Sequence, residues 1–548
     1  MIFSRPVATA AVLVAALLLG GCSSGDDPAA GPSGGTPVQG GEVVFAVDTE
    51  PVSFDVHVSQ QDITGTILRN LFDSLVHQDG EGKFHPWLAE SWEVADDLKS
   101  YTFKLRKDVK FTDGTPFDAE AVKVNFDRIA DPATKSQLAA TLLGPYAGTE
   151  VVDAHTAKVT FKESFAPFLQ AASTAYLGFY SPKTIKENGD KLAAGGATGV
   201  STGPFVFSGY TKGQSAEFTK NPDYAWAPKD AANSGAAYLD KLTIRFLPEA
   251  SVRVGSLTSG QIQVAAAVPP QDAQTISGNA SLTLDAKDSP GSNFSLFLNT
   301  SKAPLNDEKV RKAIQIGINI DAGVKNLYFG QYKRAWTLLS PSTAGYNKAL
   351  ENTWPYDEAA ANKLLDEAGW TSRDGEGYRT KDGKRLTVNW PLLPAQFVRD
   401  KRDILGQGFQ ADLKKIGIEA DRPQDDIGTY IANVYGGKAD IADYSWGRAE
   451  PDVLWLLLNG ASDPRKGGQN ATFLNDPQLT EWTNTGRSTL DEAVRNDVYG
   501  KAQQRAIDLA IVVPIYTPTA VTGRAKAVNG LAYDGNAWPV FQGAWLAK

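Results

Sequence analysis

Residues Asn70–Ile129 read NLFDSLVHQDGEGKFHPWLAESWEVADDLKSYTFKLRKDVKFTDGTPFDAEAVKVNFDRI. Tyr101, Phe103 and Leu105 alternate with polar residues, which is the period of a half-buried strand. Val109 and Phe111 repeat the alternation and predict that extended structure resumes there. Asp113-Gly114 is a turn signal. Asp118 is placed to cap a helix whose core face is Val122, Phe126 and Ile129. The stretch is therefore a compact αβ unit, and no catalytic group stands out in it.

The same logic extends in both directions. Val43, Phe45 and Val47 alternate as a strand near the start, and Phe294, Leu296 and Leu298 do so in mid-chain. Val310, Ala313, Ile314, Gly317 and Ile318 give the stripe of a core-facing helix. Asp357 caps a second helix with Ala361, Leu364, Leu365 and Ala368 inward, stopped by Gly369. Leu405, Phe409, Leu413 and Ile416 mark a third, ended by Gly417. Strand-like runs at 387–390 and 441–446 alternate with these helices, and that alternation predicts an α/β lobe.

The chain has 548 residues, 21% of them charged and 42% hydrophobic, as in a water-soluble globular protein. Net charge is −9 and no basic patch occurs, which argues against nucleic-acid binding. The single cysteine, Cys22, excludes a disulfide framework. The four histidines, His57, His77, His85 and His155, lie in the first third without helical zinc spacing, so no metal ligand set is assigned. No cofactor is expected. No Walker loop, dinucleotide fingerprint or nucleophile–base arrangement is found. Gly31-Pro32-Ser33-Gly34-Gly35 fits G-x-S-x-G, but it lies in a Ser/Gly/Pro-rich run rather than between strand and helix, and is rejected.

Residues 1–22 hold Arg5, an apolar run from Ala8 to Leu19, then Leu19-Gly20-Gly21-Cys22. The run is shorter than the ~20 residues of a membrane span and reads as a secretory signal. Its end resembles the lipobox of bacterial lipoproteins, which implies a lipidated Cys22 and attachment to the bilayer through it. Residues 23–41 read as a flexible tether reaching on the order of 25 Å.

The runs PWLAESWEV at 86–94, YTFKLRKDVKFTDGTPF at 101–117 and AEAV at 119–122 resemble the signature of the extracytoplasmic solute-binding proteins of peptide and nickel ABC transporters. STGPF at 201–205, NPDYAW at 221–226, YLDKLTIRFLP at 238–248, FLNTSKAPLNDEKVRKAI at 297–314 and PIYTP at 514–518 continue the match. The resemblance implies a type II periplasmic-binding-protein-like α/β fold of the large peptide-binding cluster. It would have two lobes, a subdomain inserted in the first, and a hinge of two segments. The expected division is lobe I at 42–84, 201–292 and 515–548, the insert at 85–200, and lobe II at 293–514. Crossings are expected near 289–299 and 512–522. The implied function is extracytoplasmic capture of a small solute, with a peptide leading, and delivery to the permease and ATPase subunits of an ABC importer. A monomer that is not an enzyme is expected. A nickel chelate or other metallophore and an oligosaccharide remain alternative solutes, and a secreted cell-wall hydrolase is the alternative of another class.

The resemblance also places the site. EPVSFDVHVSQQD at 50–62 matches the family's first strand and loop, with Asp55 at its acidic position and Gln60, Gln61 and Asp62 where backbone meets ligand. DYSWGRAEPD at 443–452 resembles the pocket strand, in which main-chain groups around Trp446 and Gly447 would pair with a peptide by strand addition. The family's carboxylate for the peptide amine falls at Ala449, so either Glu450 or Asp452 replaces it or the ligand has no amine there. The family's carboxylate-gripping Arg falls at Gln396, leaving Arg399 and Arg448 as candidate cations. Tyr444, Trp336, Tyr430 and Tyr516 are further aromatic candidates.

Overall fold

The computed structural model describes residues 35–394, 398 and 400–547. The expectations for the signal, Cys22, Gln396 and Arg399 lie outside the described residues.

Strand Glu42–Val47 buries Val43, Phe45 and Val47 as its alternation predicts. It runs parallel to both neighbours, Lys241–Phe246 and Val264–Ala265. The seven-stranded sheet around it has the order 282–288, 519–525, 264–265, 42–47, 241–246, 215–220, 205–211. A second sheet, in the order 333–334, 512–517, 294–298, 441–444, is antiparallel. All side chains of its two inner strands are buried, which explains their near-continuous apolar sequence.

These sheets centre two lobes. The chain passes between them twice, through residues 289–293 and at Pro518. The Ser289 N–H donates to the Pro518 carbonyl at 2.8 Å, so the crossings lie side by side as a two-segment hinge. Helices Glu308–Gly317, Glu358–Glu367 and Arg402–Lys415 carry the expected apolar stripes into the core of the second lobe. Gly317 lets two of them meet closely, since a Cβ there would stand 2.6 Å from Ile416 Cδ1.

The opening stretch lies largely within a third unit. Strands 89–94, 100–105, 156–161 and 146–153 form an antiparallel sheet, and helix Ala119–Ala130 packs on it. Asp118 caps the helix, its carboxylate accepting the Ala121 N–H at 2.9 Å. Val122, Phe126 and Ile129 are buried with Tyr101, Phe103 and Leu105. Val109 and Phe111 are buried too, but not in a strand. Residues 106–117 form a loop with one bridge, Lys110 to Pro116, and the Asp113-Gly114 turn at its tip. The reversal is too tight for a ladder, so burial there comes from packing, with Phe111 against Phe117 at 5.9 Å. The strand expected over 441–446 likewise stops at Tyr444.

A buried ion pair ties this unit to the loop after the first strand. Arg128, in helix Ala119–Ala130, grips Asp55 through Nη2 at 2.6 Å and Nη1 at 3.2 Å. Its Nη1 also donates to His57 Nδ1 at 2.8 Å. His57 must then carry its proton on Nε2, which faces the Gly178 carbonyl at 2.9 Å.

Candidate functional site

The hinge leaves a cavity of about 510 Å³ with walls from both lobes. Helix Asp62–Leu68 contributes Asp62, Ile63 and Thr66, and residues 266–271 and Trp538 complete that wall. Facing them are Tyr328, Tyr332, Asp400, Arg402, Ser445 and Gly447. Lys401 reaches across to Gln271 Oε1 at 3.3 Å. The Ala166 N–H donates to the Arg487 carbonyl at 2.9 Å. These contacts close one lobe on the other.

Arg402 is the principal cation of this cavity. It starts the helix whose apolar stripe begins at Leu405, and its predecessors Asp400 and Lys401 take left-handed backbone at φ +56° and +53°. Its Nε–H donates to Tyr516 Oη at 3.1 Å, and its Nη2 lies 3.7 Å from Asp400 Oδ2. The guanidinium sits 4.4 Å from the centre of the Phe294 ring. Asp400 accepts from Tyr332 at 2.9 Å and from Tyr516 at 3.2 Å, and its carbonyl accepts from Tyr328 at 2.8 Å. The Tyr328 and Tyr332 rings stack at 4.5 Å. Burial opposes the charge of Arg402, but Tyr516, Asp400 and Asp443 outweigh it and hold the group more basic than usual. The result is a preorganised cation on an aromatic wall, suited to a carboxylate.

Asp443 lies behind Arg402. Burial pushes it up to about 6 despite Arg402, Arg422 and the Trp390 indole N–H, which donates to it at 3.1 Å. A carboxyl raised in the folded state favours folding below its unfolded value of 3.8, and this contribution is lost as pH rises through 6. Asp443→Asn is therefore expected to make denaturant-measured stability rise more, or fall less, between pH 4 and 6 than it does in wild type. An unchanged slope would reject this assignment.

The site residues singled out in the sequence separate into groups. Asp62 and Gly447 face each other across the cavity, a Cβ on Gly447 coming 3.8 Å from Asp62 Oδ2. Gln60 is exposed. Gln61 is engaged locally: its side chain accepts the Val52 N–H at 2.8 Å and its carbonyl accepts the Tyr176 hydroxyl at 2.7 Å. Trp446 packs against the core of the second lobe. Its N–H donates to Ser292 Oγ at 2.7 Å and its carbonyl accepts the Ser292 N–H at 2.8 Å. Both main-chain groups of Trp446 are thus engaged by Ser292 in this structure. Gly291 permits the bridge, because a Cβ there would fall 2.0 Å from the Trp446 oxygen.

Arg448, Glu450 and Asp452 line a second cavity of about 210 Å³, with Leu142, Gly144, Phe165 and Gln170 opposite. Both carboxylates are committed. Arg495 pairs with Glu450, and Arg487 holds Asp452 through Nε at 3.1 Å and Nη2 at 2.7 Å. Of the other aromatics, Tyr444 stacks on Phe297 at 4.2 Å, Trp336 packs on Trp354 and Tyr430 is core. Only Tyr516 meets the main cavity's cation.

Arg402, Asp400, Tyr328 and Tyr332 were not singled out in the sequence. The available signal for Arg402 was its position at the head of an amphipathic helix, three residues past Arg399. Among the described residues, no group of three or more His, Cys, Asp or Glu is placed to hold a metal ion. None of their helices is long and apolar enough to cross a membrane.

Two α/β lobes on a two-strand hinge, with a lined cavity between them, define a type II periplasmic solute-binding protein. The chain belongs to the bacterial extracellular solute-binding proteins, family 5, whose middle region matches residues 83–468. It is 27% identical over 496 residues to the glutathione-binding protein GsiB of Escherichia coli O1:K1, covering 89% of this chain and 91% of that one. Its fold is similar to NikA from Brucella suis in complex with Fe(III)-EDTA, at TM-score 0.81 and 25% identity over 92% of this chain and all of NikA. It is similar also to DppA from Helicobacter pylori in complex with peptide STSA, at TM-score 0.76 and 26% identity over 93% and 99%. The protein is accordingly the extracytoplasmic solute-capturing component of an ABC importer.

Proposed function

We propose that the solute is a short peptide or peptide-like molecule with a free carboxylate, held between the lobes and released unaltered to the permease. The observation that carries this reading is Arg402, a half-buried cation backed by Tyr516 and Asp400 in a cavity of about 510 Å³. That arrangement matches one carboxylate and leaves room for several residues' worth of amphipathic solute. The peptide and glutathione named for DppA and GsiB support it. Glu450 and Asp452 are spent on arginines, which favours a ligand without a free amine beside Ala449. Native mass spectrometry of protein lacking residues 1–41, followed by denaturing release, tests the proposal. Peptides or peptide conjugates bearing a carboxylate are expected. A metal–polycarboxylate chelate is the second reading, favoured by the Fe(III)-EDTA in NikA, and its mass in the released fraction would replace the first.

We further propose that Cys22 is lipidated and anchors the chain, as a monomer, to the outer face of the cytoplasmic membrane. The support is the apolar run ending in Leu19-Gly20-Gly21-Cys22. Cys22→Ser is expected to move the protein from the membrane fraction into the soluble extracytoplasmic fraction. Retention on the membrane would sink the anchor.

A further inference from the structure

The second interlobe cavity has an imbalance that the main site does not explain. Arg448 reaches it from one residue beyond Gly447, which lines the larger cavity, so the two spaces adjoin across one stretch of chain. The Arg448 Nε is buried and makes no hydrogen bond. Among the described residues its guanidinium forms no ion pair, and its recorded partner is the Trp446 ring at 5.4 Å. The carboxylates alongside are each held by another arginine, Glu450 by Arg495 and Asp452 by Arg487. Glu163 stands exposed at the rim. Burial lowers Arg448 to about 10, Asp452 and Asp62 offsetting only part of the effect and Arg487 adding to it. A buried cation without its own carboxylate is costly, and an incoming anion relieves that cost.

Resting on the reading of a carboxylate held at Arg402, we propose that Arg448 forms a second anion subsite. The solute would then carry a carboxylate at each end, with its second acidic group seated between Arg448 and the loops around Gly144 and Phe165. Arg448 thereby selects acidic or N-acylated diacid peptides over peptides with a free amine, because an ammonium would meet a like charge in a desolvated pocket. Closure would be coupled to this choice, since the pocket exists only where the loops of one lobe meet residues 448–487 of the other.

The test compares N-succinyl-dialanine, with a carboxylate at each end, and N-acetyl-dialanine, with one, by titration calorimetry on the full chain. Wild type is expected to bind the succinyl probe about tenfold or more tighter, a difference of about 1.4 kcal/mol. Arg448→Gln should bring the two probes to equal affinity, whereas Arg448→Lys should keep most of the preference. Equal affinities in wild type, or a succinyl preference that persists in Arg448→Gln, overturns the proposal. Binding of neither probe counts against the peptide reading itself, and glutarate then decides the subsite. Thermal stabilisation by glutarate that Arg448→Gln loses supports it, and equal behaviour of the two proteins overturns it. A cooperative melt of each variant establishes that the comparison is made on folded protein.

Discussion

Arg402→Ala is expected to weaken binding of the natural solute by about 100-fold or more, because removing one partner of a buried charged pair typically costs 2–5 kcal/mol. The guanidinium that would be lost is hydrogen-bonded to Tyr516 and placed over Phe294, so its loss removes a cation already oriented in the cavity. Asp400 would remain, still accepting from Tyr332 and Tyr516, and its negative charge would repel the carboxylate that Arg402 attracts. Arg402→Lys is expected to recover only part of the affinity, since an ammonium cannot donate as a planar fork while stacked on an aromatic ring. Calorimetry with the solute released from wild type reads the effect. Affinity within threefold of wild type in a cooperatively folded Arg402→Ala protein would remove Arg402 from the site.

The second large effect is on stability. Asp55→Asn should destabilise the protein by about 3–5 kcal/mol, because it leaves the Arg128 guanidinium buried without its counter-charge. The same cluster sets an acid limit. Burial lowers His57 to about 4, with Arg128 adding to the effect against Asp55, and its Nδ1 must stay unprotonated to accept from Arg128. Below pH 6.5 the unfolded chain takes up a proton at this histidine and the folded chain does not. Stability contributed above 6.5 is therefore lost as pH falls towards 4, by about 3 kcal/mol in all. His57→Gln should lower the slope of stability against pH between 4 and 6.5 below that of wild type in urea titrations, the opposite of the change expected for Asp443→Asn. The same pH slope in the variant would assign the loss to other groups.

Much of the architecture was legible because it follows from local periodicity. The stripe Val310, Ala313, Ile314 and the alternation at Tyr101, Phe103, Leu105 each specify one element and its buried face, and both are buried so in the fold. The alternation at Val109 and Phe111 misled for a definite reason. Burial of every second residue requires a core neighbour on one side but not a hydrogen-bonded partner strand, and the turn at Gly114 leaves room for only one bridge.

The binding site was less legible because its members come from distant parts of the chain. Arg402 stands at the head of a helix, and sequence alone does not tell whether it faces the cavity. The left-handed backbone at Asp400 and Lys401 and the hydrogen bond to Tyr516, 114 residues away, fix the direction of Arg402. That both main-chain groups of Trp446 pair with Ser292, 154 residues earlier, is likewise invisible in the sequence. Glu450 and Asp452 read as free acids until Arg495 and Arg487 reach them from later in the chain. By itself the sequence determined the α/β elements and their inward faces, since these depend on side-chain spacing within a few turns of chain. Which charges are spent and which remain for a solute was decided only by tertiary structure, because neutralising a buried charge depends on which partners the fold brings within hydrogen-bonding distance.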